Sequence, residues 1–88
     1  MPKYKVELSN QACKILDRMV VKDAFLYRRI ERALNDLEVD PFIGKPLKGI
    51  LKGRYSYRVG SNRIIYIVKR NLLIIFVIDI GHRKDIYK

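Results

Sequence analysis

Cysteine and histidine are almost absent from this chain of 88 residues, which has one of each, Cys13 and His82. A single cysteine closes no intrachain disulfide, so the disulfide-stapled mini-protein of an oxidising compartment is excluded. One cysteine and one histidine also fall short of the four ligands of a structural zinc site, and no metal or other cofactor is expected. Long apolar runs are missing too. The longest, Leu72 to Ile78, is far too short to span a bilayer. The first residues lack the apolar stretch of a secretory leader, so a cytoplasmic protein without a membrane partner is expected. There is no Gly-rich phosphate loop, no patterned pair of carboxylates and no suggestive Ser-His-Asp set. Acidic residues are scarce in one half only. Residues 1–44 carry eight Lys and Arg against seven Asp and Glu, while residues 45–88 carry eleven against two. Nearly all of the formal charge of +10 therefore sits in the second half. A field this concentrated attracts polyanions. Nucleic acid, an acidic protein and a membrane surface all fit, and charge alone does not choose among them.

What is present makes one compact domain over residues 1–88, since 49% of the chain is hydrophobic and its length leaves no room for a second core. Tyr4 to Leu8 alternates, with Tyr4, Val6 and Leu8 on one face, and predicts a half-buried strand. Ser9 is a candidate helix N-cap, followed by Ala12, Ile15, Leu16 and Met19 at helical spacing. Asp23 is a second candidate cap, followed by the stripe Leu26, Ile30, Ala33, Leu34 and Leu37. Asp40-Pro41 stops that helix, because a residue before proline avoids the helical region. Residues 41–53 predict a loop punctuated by Gly44, Pro46, Gly49 and Gly53. Three strands follow, over Arg54 to Val59, Asn62 to Lys69 and Leu72 to Ile80, turned at Gly60-Ser61 and Arg70-Asn71. The last is apolar nearly throughout, as in a strand covered on both faces. Gly81-His82-Arg83 is expected to leave the sheet. The fold class is α+β, in order β-α-α-β-β-β, with a helical hairpin packed on one face of a mainly antiparallel twisted sheet.

Cationic and aromatic residues gather in the second half: Lys45, Lys48, Lys52, Arg54, Tyr55, Tyr57, Arg58, Arg63, His82, Arg83, Lys84 and Tyr87. Arginines pair with phosphates and flat rings stack on unpaired bases, so the mixture suits RNA. It equally suits an ordinary solvated sheet, where tyrosine is common and arginine needs no explanation. Pairing about Gly60-Ser61 brings Arg58 and Arg63 together on the helix-free side. Two adjacent guanidinium groups repel unless an anion lies between them, and phosphate is the natural occupant. Tyr66 reads as a core-facing strand residue.

The stretches Pro46-Leu47-Lys48-Gly49, Gly53-Arg54-Tyr55-Ser56-Tyr57-Arg58-Val59-Gly60-Ser61-Asn62-Arg63-Ile64-Ile65-Tyr66 and Ile78-Asp79-Ile80-Gly81-His82-Arg83-Lys84-Asp85-Ile86-Tyr87 resemble the RelE/ParE toxin superfamily. Its members show L-x-G, then Y-x-x-R-x-G-x-x-R before two apolar residues and Tyr, then a closing G-H/K-R-x-x-x-Y. All three occur here in order, and the resemblance covers essentially the whole chain. It implies a RelE-like, microbial-RNase-like fold and the toxin of a type II toxin–antitoxin system. RelE-like members cleave mRNA in the ribosomal A site without a metal, by attack of a 2′-hydroxyl on the adjacent phosphate. The reaction needs the 2′-oxygen deprotonated, the pentacovalent phosphate stabilised and the leaving 5′-oxygen protonated.

Carried over by position, the resemblance implies that Arg63 and Arg83 hold the scissile phosphate and Arg58 adds cationic stabilisation. Tyr87 stacks on the mRNA base or joins the proton transfers, and His82 is a candidate proton donor. Lys48, Lys52, Arg54 and Lys84 are candidate RNA-binding residues. Some relatives place a lysine where Ser56 stands, so one candidate base is missing, and Lys48 or Lys52 is the candidate substitute. The implied partners are the ribosome with its mRNA and a RelB-like antitoxin, acidic and partly disordered, in a heterotetramer. Two other readings share the fold: a ParE-like toxin that inhibits DNA gyrase without cutting RNA, and a non-catalytic RNA-binding module.

Overall fold

The computed structural model describes residues 3–82. Two helices cover one face of a five-stranded mixed sheet, in strand order β1-β5-β4-β3-β2. β1 (Lys5–Leu8) is half-buried, its exposed Lys5 and Glu7 alternating with Val6 and Leu8. Ser9 ends it and opens α1 (Asn10–Lys22). Its hydroxyl accepts the Ala12 N–H at 3.0 Å and donates to the Ile78 carbonyl at 2.7 Å, so the cap also ties the helix to the sheet. Asp23 then serves both helices. Its backbone N–H bonds to the Met19 carbonyl, closing α1, while its carboxylate accepts the Leu26 N–H at 3.1 Å and opens α2 (Ala24–Val39). Asp40 turns extended, as a residue before proline must, and α2 stops there.

The stripes read from spacing are the buried ones. Ala12 and Leu16 from α1 meet Ile30, Ala33 and Leu37 from α2 over Val59, Ile64, Tyr66, Ile75, Val77 and Ile80 of the sheet. Burying a side chain such as Ile30, wholly inaccessible here, contributes about 1.5–3 kcal/mol. α1 lies against β5, and α2 reaches β1 and β3.

β3 (Tyr55–Val59), β4 (Asn62–Lys69) and β5 (Ile74–His82) form the expected antiparallel meander. Gly60 has φ +61 at the first position of the two-residue β3–β4 turn, the conformation that a type II′ turn asks of glycine. Four features depart from the sequence reading. Within the expected loop, Lys45–Pro46 forms a short β2 paired antiparallel with β3. Leu72 and Leu73, expected in a strand, instead belong to the β4–β5 turn, a 3-10 turn over Arg70–Leu72 closed by Leu73 at φ 53. β5 does not end at Ile80: Gly81 and His82 stay in the sheet, paired with Arg63 and Asn62. Nor is β5 covered on both faces, because Ile74, Phe76 and Ile78 are only half-buried. β1, whose neighbour the sequence left open, runs parallel to β5, so the first strand of the chain docks beside the last one described.

Candidate nucleic-acid interface

The helix-free face of the sheet carries the residues of interest. Val59 and Ile64 point into the core, so Arg58 and Arg63, which alternate with them, face the other way. They are direct register partners, as the turn predicted. Their head groups do not confront one another. Arg63 is half-buried, and its Nη1 donates to the Ser56 hydroxyl at 3.1 Å. Arg58 is exposed, and its Nε donates to the Gly60 carbonyl at 3.1 Å. One guanidinium is drawn towards the middle of the sheet and the other towards the turn. Each thus finds a neutral acceptor on the side away from the other.

Ser56, where some relatives hold a lysine, is only 2% exposed and positions Arg63. Lys45 is register partner to Ser56 and therefore shares its face. The sequence reading counted Lys45 among the cations without assigning it to the site, because a two-residue strand containing proline has no period to detect. Farther along the face the floor turns apolar, with Ile65, Ile67, Ile74 and Phe76, and Lys69 places its Nζ 5.0 Å from the Phe76 ring centroid. This face is a basic rim beside an apolar floor. It offers fixed positive charge, donors for phosphate oxygens and a surface on which a base can lie.

The remaining candidates divide. Lys48 and Lys52 flank one 3-10 turn, Gly49–Leu51, and with Arg54 are exposed on the loop before β3. His82 is exposed at the end of β5 and pairs with Asn62, so alternation gives it the parity of Ile80, opposite to Arg63. His82 thus stays in the sheet, which corrects the expectation that it leaves it, and its parity is not that of the arginines. Arg83, Lys84 and Tyr87 lie outside the described residues. Among the described residues, no three His, Cys, Asp or Glu side chains gather as a metal site, and no helix is long and apolar enough to cross a membrane.

Tyr66 positions the loop that carries the lysines. Fully buried, it donates its hydroxyl to the Pro41 carbonyl at 2.8 Å and accepts the Gly44 N–H at 3.2 Å. Its ring stacks on Tyr55 at 5.5 Å between centroids. Burial pushes its ionisation up to about 12, against the Gly44 N–H, which favours the charged form. Tyr66 is a neutral hydrogen-bonding post. The core placement was legible, but the loop it ties down was not.

Comparison with known proteins follows the same lines. Residues 6–87 match the family described as ParE toxin of type II toxin-antitoxin system, parDE. Toxin RelG of Mycobacterium tuberculosis is 35% identical over 86 residues, which span 97% of each chain. Among solved structures, the toxin–antitoxin complex RelBE2 of M. tuberculosis matches at 28% identity and a TM-score of 0.78, covering 92% of this chain and 99% of that one. The YoeB/ParE toxin of Agrobacterium tumefaciens shares the fold at 23% identity and a TM-score of 0.82, covering 90% of this chain and 98% of that one.

Proposed function

This chain belongs to the RelE/ParE superfamily of type II toxin–antitoxin toxins, and from that premise we propose that it is a ribosome-dependent endoribonuclease that cuts mRNA in the A site. The observation that carries the reading is the paired row Arg58–Arg63, with Arg63 fixed by buried Ser56 on an open basic sheet face. The 2′-oxygen loses its proton and bonds to the adjacent phosphorus, while the bond to the 5′-oxygen breaks and that oxygen gains a proton. A 2′,3′-cyclic phosphate and a 5′-hydroxyl result. Arg63 and Arg83 hold the phosphate oxygens where negative charge builds up, and Arg58 adds to the field from the turn. Tyr87 stacks on the base or relays a proton. Lys45, Lys48, Lys52, Arg54 and Lys84 guide the strand. With His82 of opposite parity to Arg63, proton transfer falls to Tyr87 or a loop lysine.

The partner that silences such a surface is an acidic antitoxin segment that folds as it binds. Solved relatives are named as RelBE, RelE-RelB and YoeB-YefM complexes, one of them heterotetrameric. We assign this toxin the same kind of assembly.

One observation favours a second reading, because the matching family is described by its ParE member. On that reading the toxin inhibits DNA gyrase and leaves RNA whole. Primer extension on an mRNA in a purified translation reaction separates the two. Breaks at the A-site codon that need ribosomes and vanish in Arg63→Ala support cleavage. Intact mRNA beside inhibited supercoiling by gyrase would overturn it.

A further inference from the structure

Helix α2 has an arginine face that neither the core nor the sheet site uses. Arg28, Arg29 and Arg32 are all exposed, and the charges of the helix as a whole balance: Glu31, Asp36 and Glu38 match them in number. The signs are only partly segregated, since Asp36 stands among the arginines. At about 100° per residue, Phe25, Arg28, Arg29 and Arg32 share one side with Asp36, while Glu31 and Glu38 fall on the far flank. Among the described residues, no ion pair engages any of the three arginines. Like charges at Arg28 and Arg32, one turn apart, repel one another on the free helix.

Two adjoining clefts use these side chains. One is lined by Phe25, Arg28, Arg29 and Arg32. The other brings Arg29, Arg32 and Asp36 against Tyr57 and Arg58 of β3 and Gly60 of the β3–β4 turn. The Arg29 guanidinium sits so close to that turn that a Cβ at Gly60 would lie 3.2 Å from it. Since Arg58 borders this cleft and is also register partner to Arg63, arginines follow one another from α2 round the turn to the helix-free face, with Asp36 the one acidic side chain lining the cleft.

We propose that the arginine face of α2 is a second RNA-binding surface, which grips the phosphate backbone of a folded RNA while the sheet face holds the strand to be cut. Guanidinium forks match phosphate oxygens in pairs. Flat rings border the arginines, Phe25 at 74% exposure and Tyr57 half-buried, as in surfaces on which nucleotides stack. An acidic protein helix would need a continuous apolar seam beside the charges; Phe25 alone lines the cleft with the three arginines, and α2 has committed Leu26, Ile30, Ala33, Leu34 and Leu37 to the core. The surface binds RNA whether or not the sheet face cleaves it.

The test is the salt dependence of binding to a fluorescent RNA hairpin without ribosomes, for the intact chain, Arg28→Gln/Arg32→Gln and Arg63→Ala. The double variant should bind more weakly, with a plot of log affinity against log salt shallower by about two, one unit for each phosphate it no longer neutralises. Arg63→Ala should keep the contribution of α2, which separates this proposal from the cleavage reading. Thermal unfolding at the intact protein's temperature shows that the double variant is folded, both side chains being on the surface. An unchanged slope in the double variant overturns the proposal. So does tighter binding of a polyglutamate peptide than of the hairpin at equal ionic strength, if the same substitutions abolish it, because the face would then serve an acidic protein.

Discussion

Replacing Tyr66 with phenylalanine removes one oxygen and nothing else. The ring keeps its stack on Tyr55 and its place in the core, so no cavity opens. What disappears is the acceptor of the Gly44 N–H and the donor to the Pro41 carbonyl. Both of those residues are buried, so water does not readily replace the hydroxyl. Leaving a buried polar group unsatisfied costs about 1–3 kcal/mol, and the carbonyl is more forgiving than the N–H, which puts Tyr66→Phe at about 2–3 kcal/mol. In a domain of this size that lowers Tm by roughly 10–20 °C. Gly44→Ala attacks the same junction from the other side, because its Cβ would run into the Tyr66 hydroxyl and sit 3.1 Å from the Ser56 carbonyl. The double variant should lose less than the two single losses added together, since removing the hydroxyl makes room for the methyl group. Urea or thermal denaturation of the four proteins measures this. A loss below about 0.5 kcal/mol in Tyr66→Phe, within the range of ordinary surface substitutions, would refute the reasoning, for the hydroxyl would then tie nothing down.

Three further outcomes follow from other contacts. Burial raises the Tyr66 pKa from 10.0 to about 12, so the folded state holds the phenolic proton more tightly than the unfolded chain does. The stability this adds is complete below pH 10.0 and is lost as pH rises through about 12, so the gap between the intact protein and Tyr66→Phe should narrow over that window. A gap that stays constant across it would show that Tyr66 does not remain neutral by burial. Ser56→Ala removes one hydrogen bond that holds the Arg63 head group, and on the cleavage reading the rate should fall about ten- to a hundredfold with the fold intact; an unchanged rate in the translation assay would remove Ser56 as a positioning residue. Ser9→Ala deletes both the α1 cap and its bond to the Ile78 carbonyl and should cost about 1–2 kcal/mol by denaturation, against a few tenths if the cap is solvated.

The elements that announced themselves in sequence have a strong period or a chemically marked end. The stripe of α2, the caps at Ser9 and Asp23 and the Gly60-Ser61 turn were all legible, and with that turn came the Arg58–Arg63 register. Lys45–Pro46 was not, since only its neighbour makes it a strand. Leu72 and Leu73 looked like strand because they are apolar, whereas the turn from Lys69 back to Ile74 needed four residues and took these two. The parallel pairing of β1 with β5 rests on contacts between the ends of the described chain, for which local pattern has no signal. The site was legible to the same extent. Alternation put Arg58 and Arg63 on one face, but their divergent head groups depend on Ser56 and Gly60. His82 was read as leaving a strand that in fact continues through it. The arginines of α2 carry no signal in sequence, because only the fold reveals that the β3–β4 turn packs beside Arg29.

The pairing of β1 with β5 also sets a clock. Ser9 reaches Ile78 across 69 residues of chain, so the N-terminal strand and its helix wait for an element made after all the others described. At the usual pace of about 5–20 residues per second, that wait lasts roughly 3–14 s in each round of synthesis. Until it ends, Ala12 and Leu16 have no sheet to cover and the basic rim has no finished floor. Assembly of the domain is therefore a late and concerted event, governed by a long-range closure that is slow to nucleate. A newborn chain passes through seconds of harmlessness before it is fit to poison anything.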